Sequence, residues 1–239
     1  MSTLNLLYEK QYAINDDISI VIPSVGDVID NEDDYYSLVT TLTASPIDFQ
    51  VQLDDVGIDY TSINEWDLFL LLFNSAIKDK QTSLVFGDLD LSKFIMAVNE
   101  QNGQVVIVDP DTGVTIDRAI LSQIASVLRK LHHLEKNRRK PANEEAKKFM
   151  LDRARAKAQR QKNRKSESQL ESLIVALVNT EQYKYDFEGT RELSIYQFNE
   201  SVRQVIKKVD YDNKMYGVYT GSISAKELSN DDLNWLTHK

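Results

Sequence analysis

Charge is sorted along this 239-residue chain, and the sorting limits how it can fold. Residues 1–116 hold 4 Lys+Arg against 20 Asp+Glu, a net −16, whereas residues 129–165 hold 15 against 4, a net +11. Residues 166–239 return to −4 and residues 117–128 are neutral, so the ordinary-looking total of −9 hides an acidic front and a basic middle. A basic block this dense has three outlets: solvent, the chain's own acidic surface, or a polyanionic partner. Residues 142–165 are rich in Ala, Lys, Arg and Gln, all good helix formers. The helix they predict is polar all round, and such a helix either projects into solvent or binds something charged.

Other counts close off whole classes. With no cysteine, the chain has no disulfide scaffold, no Cys-ligated zinc, no iron–sulfur cluster and no thiol catalysis. Eight Gly and four Pro are too few for a collagen-like or Pro/Gly-rich disordered chain. The longest apolar run, Leu68–Phe73, has six residues, against about 20 needed to span a bilayer. The opening Met-Ser-Thr-Leu-Asn lacks a basic region and a signal-peptide core, so the expectation is a soluble intracellular protein.

The local pattern predicts an α+β fold: an N-terminal small antiparallel sheet with helices, then a long basic helical segment, then a helical C-terminal region. Residues 1–116 read as an acidic α+β domain, 117–165 as a long amphipathic and then basic helical segment, and 166–239 as the helical C-terminal region. Tyr8–Ile14 and Ile18–Ile22 flank Asn15-Asp16-Asp17, a turn-forming cluster, and predict a hairpin. Pro23 and Gly26 are expected to stop its second strand. Asn31, followed by three acidic residues, caps a helix that buries Tyr35, Leu38, Val39 and Leu42. Pro46 opens a short helix ended by Gly57. Ser62-Ile63-Asn64-Glu65 has capping-box spacing before the apolar run from Trp66 to Phe73.

Ser83–Phe86 reads as a short strand closed by Gly87. Phe94–Val98 and Val105–Val108 surround Asn102-Gly103, a strong hairpin signal, and a turn at Asp109–Gly113 leads to Val114–Ile116. From Asp117 the period changes. Ile120, Ile124, Val127, Leu128, Leu131 and Leu134 form one helical stripe, which Pro141 interrupts. Capping boxes at Ser168–Glu171, Ser194–Gln197 and Ser224–Glu227 start three further helices. The expected core adds Leu68, Phe69, Leu72, Ile174, Leu177, Phe198, Val202 and Val205.

Residues that could carry chemistry are few. His132-His133 is the one histidine pair, but neighbours on a helix point about 100° apart, so two rings grip one metal poorly. Asp88 with Asp90 on a strand, or Asp109 with Asp111, could offer oxygens to a cation. Turn chemistry accounts for both pairs equally well. No phosphate-binding glycine loop and no nucleophile elbow occurs. No catalytic residue, cofactor or metal ligand is therefore assigned, and the chain reads as a non-enzyme.

The sharpest functional feature is the basic series Arg138, Arg139, Lys140, Lys147, Lys148, Arg153, Arg155, Lys157, Arg160, Lys162, Arg164 and Lys165. It could track a phosphate backbone, although Phe149 is its only aromatic and single strands favour stacking platforms. The preferred reading is that the series is a solvated linker or pairs with acidic protein surfaces, this chain's own included.

Several segments resemble proteins encoded among the tail genes of tailed bacteriophages, above all those of Gram-positive hosts. The run Ile18-Ser19-Ile20-Val21-Ile22-Pro23-Ser24-Val25-Gly26-Asp27-Val28-Ile29 leads into Tyr35-Tyr36-Ser37-Leu38-Val39 and then Trp66-Asp67-Leu68-Phe69. In that family "I-x-I-P-T-x-G-E-I" leads into a Tyr-rich helix and a buried "W-x-L-F" segment. Ser194–Ser201 and Asn234-Trp235-Leu236 are similar too. Ser24 and Asp27-Val28 are mild departures. The resemblance implies tail or baseplate morphogenesis, as a tail assembly chaperone or a hub-proximal structural component, and implies no catalytic residues. It further implies partners among other phage tail or baseplate proteins or a second copy, with no membrane. The implied locations are the host cytoplasm during assembly and the virion tail for a retained component. The alternative is a nucleic-acid-binding accessory protein that uses the basic helix 138–165.

Overall fold

A computed structural model describes residues 3–77, 82–100, 102–162 and 168–236. The chain is α+β, with two small antiparallel sheets among helices and a helical C-terminal region, as the pattern predicts.

Helix α1 (Thr3–Tyr8) precedes strands β1 (Gln11–Ala13) and β2 (Ser19–Val21), which pair in register Tyr12↔Ile20. The predicted hairpin is there, but Tyr8 ends a helix instead of opening a strand. The Asn15 side chain accepts from the backbone N–H groups of Asp17 and Ile18 and so shapes the turn. Gly26 does not stop β2. It lies inside α2 (Val25–Ile29), which a capping box opens. Ser24 Oγ accepts from the Asp27 N–H at 3.0 Å, and the Asp27 carboxylate accepts from the Ser24 N–H at 3.1 Å. Serine with aspartate at this spacing does the capping work of threonine with glutamate.

Helix α3 (Glu32–Thr43) buries Tyr35, Leu38, Val39 and Leu42, as its stripe requires. A 3₁₀ turn (Pro46–Phe49) and α4 (Gln50–Asp55) follow, ended by Gly57 at φ 75°. The cap of α5 (Glu65–Leu72) is Asn64 and not Ser62. Asn64 Oδ1 accepts from the N–H groups of Trp66 and Asp67, while Asp67 answers from N3 to the Asn64 N–H. Ser62 instead donates its hydroxyl to the Asp59 carbonyl at 2.8 Å, in the turn before the helix. A π turn (Phe73–Ile77) continues α5.

Ser83–Phe86 is not a strand but the short helix α6, closed by Gly87 at φ 61°. A four-residue apolar run has no period of its own to separate the two states. Asp88 and Asp90 therefore sit in a turn, where Asp90 caps the 3₁₀ turn Leu91–Lys93 through the Ser92 N–H. Strands β3 (Ile95–Val98), β4 (Val105–Val108) and β5 (Thr115–Ile116) form the second sheet in that order.

Helix α7 (Arg118–Leu131) is capped by Asp117 and carries the predicted stripe, but it stops before Leu134. His133 turns left-handed at φ 50°. The N–H of Leu134 then reaches back to the Arg129 carbonyl, and that of His133 to Lys130. This is a Schellman stop with histidine at the position usually given to glycine, which is why Leu134 is exposed. Helices α8 (Glu144–Lys162), α9 (Gln169–Val178), α10 (Phe187–Glu192) and the 25-residue α11 (Ile195–Tyr219) complete the chain. After Ser224 only a 3₁₀ turn (Ala225–Glu227) forms, so the fourth capping motif starts no α-helix.

One apolar cluster runs from Leu6 through β2, α3, α5 and α7 to Leu170, Ile174, Leu177, Ile195 and Phe198. Leu72, Val202 and Val205, expected in the core, are only half-buried at its edge. The N-terminal and C-terminal regions meet at Ser24 and Ser194, which form an antiparallel bridge. The Val25 N–H donates to Leu193 and the Ile195 N–H to Pro23, both at 2.8 Å. The capping serines of α2 and α11 are thereby neighbours, and two of the segments that carry the phage resemblance touch.

Candidate functional site

The site builds from how α8 is started and held. Asn143 accepts from the Ala146 N–H at 2.8 Å and so caps α8 two residues after Pro141. Glu144 and Glu145 then sit at the positive end of the helix. The helix does not stand free, because it lies against α4. Arg155 Nη2 reaches Asp54 at 2.6 Å and Asp55 at 2.7 Å. Lys147 Nζ reaches Asp59 at 2.6 Å. Lys147 together with the Thr61 hydroxyl and N–H pulls the Asp59 carboxyl down to about 2. Between these pairs Met150 packs against the small apolar cluster of Ala44, Ile47, Leu53, Tyr60 and Leu68. The basic middle thus folds onto the acidic front of the same chain.

The fit is incomplete, and an open cleft of about 910 Å³ remains. It runs between α7, the end of α3, residues 60–69 and the connector 136–147. Arg129 donates to the Thr43 carbonyl across it, and Lys136 pairs with Glu65 at its mouth. Asn137 donates to Asp48 and ties the connector to the 3₁₀ turn. Ser45 and Tyr60 line its wall almost wholly buried; Ser45 faces the Asp48 N–H in a capping box, whereas the Tyr60 hydroxyl has no hydrogen-bond partner among the described residues. Burial pushes the Tyr60 phenol up, so it stays protonated and able to donate.

The predicted basic series is divided by this geometry. Arg138, Arg139, Lys140 and Lys147 line the cleft. Arg155 is spent on Asp54 and Asp55, and Arg153 lies over the Phe149 ring at 5.7 Å. Lys148, Lys157 and Arg160 are exposed on the outer side of α8. Lys162 is the last residue of that helix, while Arg164 and Lys165 lie outside the described residues. Sequence reasoning missed Arg118, Arg129, Ser45 and Tyr60. They come from three separate elements, and no local pattern signals that they converge.

The other candidates have structural duties. His132 Nε2 sits 2.9 Å from the Tyr35 hydroxyl, and burial pushes the imidazole down to about 4. His133 lies 3.6 Å from Glu200. Asp109 accepts from the Asp111 N–H and the Thr112 hydroxyl. Among the described residues no three His, Asp or Glu side chains cluster so as to hold a metal ion. No helix among them is long and apolar enough to cross a membrane.

A search among curated proteins and one among solved structures find no match. A family described as the YomV second domain matches residues 160–239, about one third of the chain, and ties that part to a Bacillus phage-region protein.

Proposed function

We propose that the protein is a non-enzymatic component of phage tail or baseplate assembly that works by docking other proteins. The phage-region domain over residues 160–239 supports the setting. The observation that carries the docking is the β3–β4 hairpin. Ile95, Met96, Val98 and Val105 are exposed on it, with Val98 at 63%. Strand β3 lies at the sheet edge and pairs only with β4 among the described residues. An apolar edge of this kind is a template for a partner strand, and folded monomers rarely leave such surface uncovered without a use.

The test is mass spectrometry of purified tail intermediates and of virions. The wild-type protein copurifies with tail proteins, and Val98→Lys, which places a charge on the edge, abolishes copurification while leaving far-UV circular dichroism unchanged. Absence of the wild type from both tail intermediates and particles overturns the reading. Nucleic-acid binding by α8 is the weaker reading. Lys147 and Arg155 are committed to Asp59, Asp54 and Asp55, which leaves Lys148, Lys157 and Arg160 as an outward-facing group. If that group binds DNA or RNA, affinity falls steeply with salt.

A further inference from the structure

The cleft beside α8 is electropositive in a chain of net charge −9. Its lining has seven Arg and Lys side chains and only two carboxylates, Glu65 and Glu144. Three of the cations have partners in the protein: Arg129, Lys136 and Lys147. Arg118, Arg138, Arg139 and Lys140 form no ion pair among the described residues. All four are exposed at the cleft, and like charges gathered round a concave site focus their field on an anionic occupant.

Charge alone would describe a surface patch, but two further observations give this one an interior. Tyr60 is only 5% exposed, and its hydroxyl oxygen lacks a partner among the described residues. A buried hydroxyl without a partner bears its desolvation cost uncompensated, so the wall is built to meet a polar atom that the protein does not supply. The remaining wall mixes Thr41, Thr61, Asn64 and Ser122 with an apolar and aromatic stretch. Trp66 and Phe69 stack with centroids 5.3 Å apart, beside Ile47, Leu121 and Ala125. The volume of about 910 Å³ falls within the range of small-molecule sites.

These three features select one ligand chemistry. Arginine forks match phosphate oxygens, so the anionic end belongs on Arg118, Arg138, Arg139 and Lys140. A pure hydrocarbon body would cover the aromatic stretch but leave the Tyr60 hydroxyl unmatched. A planar body with hydrogen-bonding atoms at its edge satisfies both. We infer that the cleft beside α8 binds a free nucleotide, with its phosphates on the Arg138–Lys140 connector and its base or sugar against the wall formed by Trp66, Ser45 and Tyr60.

Trp66 is a built-in reporter, since the chain's other tryptophan, Trp235, lies in the C-terminal tail away from the cleft. In a Trp235→Phe background, ATP is expected to change Trp66 emission saturably. Inorganic pyrophosphate should bind at least about tenfold more weakly, because it lacks the body. Arg138→Glu with Arg139→Glu should weaken ATP by at least about tenfold, as two charge-assisted contacts are lost. Lys157→Glu with Arg160→Glu makes the same charge change on the outer face of α8 and should alter affinity by no more than about twofold. Four results would each overturn the inference. One is the absence of ATP binding by fluorescence and calorimetry. The second is pyrophosphate binding as tightly as ATP, and the third is equal weakening by the two charge-reversed pairs. A short oligonucleotide that binds where ATP does not would also reject a free nucleotide.

Discussion

At the scale of single residues, the contact between Tyr35 and His132 gives the protein a specific response to acid. The imidazole is packed beside the Tyr35 and Tyr36 rings, at centroid distances of 5.5 and 5.7 Å, with His133 as its nearest titratable neighbour in sequence. Burial lowers it from 6.5 to about 4, so the unfolded chain takes up this proton at higher pH than the folded one. The stability it contributes is complete above pH 6.5 and is lost as pH falls toward 4. The slope is at most about 1.4 kcal/mol per pH unit. Replacing His132 by Gln removes the titration and keeps a polar partner for Tyr35. Urea unfolding from about pH 7 to pH 5 should show the stability difference between wild type and His132→Gln shrinking as pH falls. Carboxylates titrate in both proteins and cancel in that difference. A difference independent of pH would mean that His132 does not titrate in this window.

Gly217 makes a second residue-scale case. A Cβ there would stand 2.6 Å from Ile223 Cδ1 and 2.9 Å from Cγ1. The C-terminal tail folds back across this point, with Lys214 on Asp232 and Lys208 over the Trp235 ring. Gly217→Ala should destabilise by about 1 kcal/mol or somewhat more by overpacking, and adding Ile223→Ala should restore most of it. Thermal unfolding of the single and double variants reads both effects. Failure of Ile223→Ala to rescue would place the strain elsewhere.

At the scale of elements, α8 is held mainly by exposed charges. Its pairs with Asp54, Asp55 and Asp59 are partly exposed, and such pairs contribute roughly 0–1 kcal/mol each. Met150 supplies the apolar contact. Salt that shortens the screening length to about 3 Å should therefore speed hydrogen exchange across residues 144–162 by about three- to tenfold. Exchange in α7, whose inward face is buried, should not change. Asp54→Asn with Asp55→Asn should give the same acceleration at low salt and remove most of the salt dependence. Exchange in α8 that ignores both salt and the double variant would show that packing holds it.

The elements also show what could be read from sequence and what could not. The β1–β2 and β3–β4 hairpins, the α3 and α7 stripes and the Asp117 and Ser194 caps all followed from local chemistry. That chemistry acts over four residues or fewer, so neighbouring residues carry the signal. Short elements were the failures. Ser83–Phe86 is too brief to show a period, and Gly26 hides α2 because glycine usually breaks elements, although here its missing side chain serves close packing. A Cβ there would lie 3.3 Å from the Arg191 carbonyl. The cleft was half legible. Arg138–Lys140 stood out as a charge run, while Ser45, Tyr60, Arg118 and Arg129 join it only through the packing of α3, α7 and α8.

At the scale of the whole molecule, charge and apolar burial divide the chain differently. Charge separates an acidic front, a basic middle and a C-terminal region, and the family match begins near the last boundary, at residue 160. The core ignores those boundaries. Trp66 from the front, Leu131 from the middle and Phe198 from the matched region belong to one continuous cluster. The Ser24–Ser194 bridge and the Arg191–Asp30 pair add polar links across the same gap. The chain should accordingly unfold as one cooperative unit. Phe198 is fully buried, and Phe198→Ala should cost about 3–5 kcal/mol through the cavity it leaves. In a cooperative unit that cost reaches every probe. With Trp235→Phe as background, Trp66 fluorescence and far-UV circular dichroism should lose their signals at the same denaturant concentration. Phe198→Ala should shift both midpoints equally. If residues 166–239 instead folded separately, the Trp66 transition would stay in place while part of the dichroism moved, because Trp66 would then sense none of the cavity at Phe198.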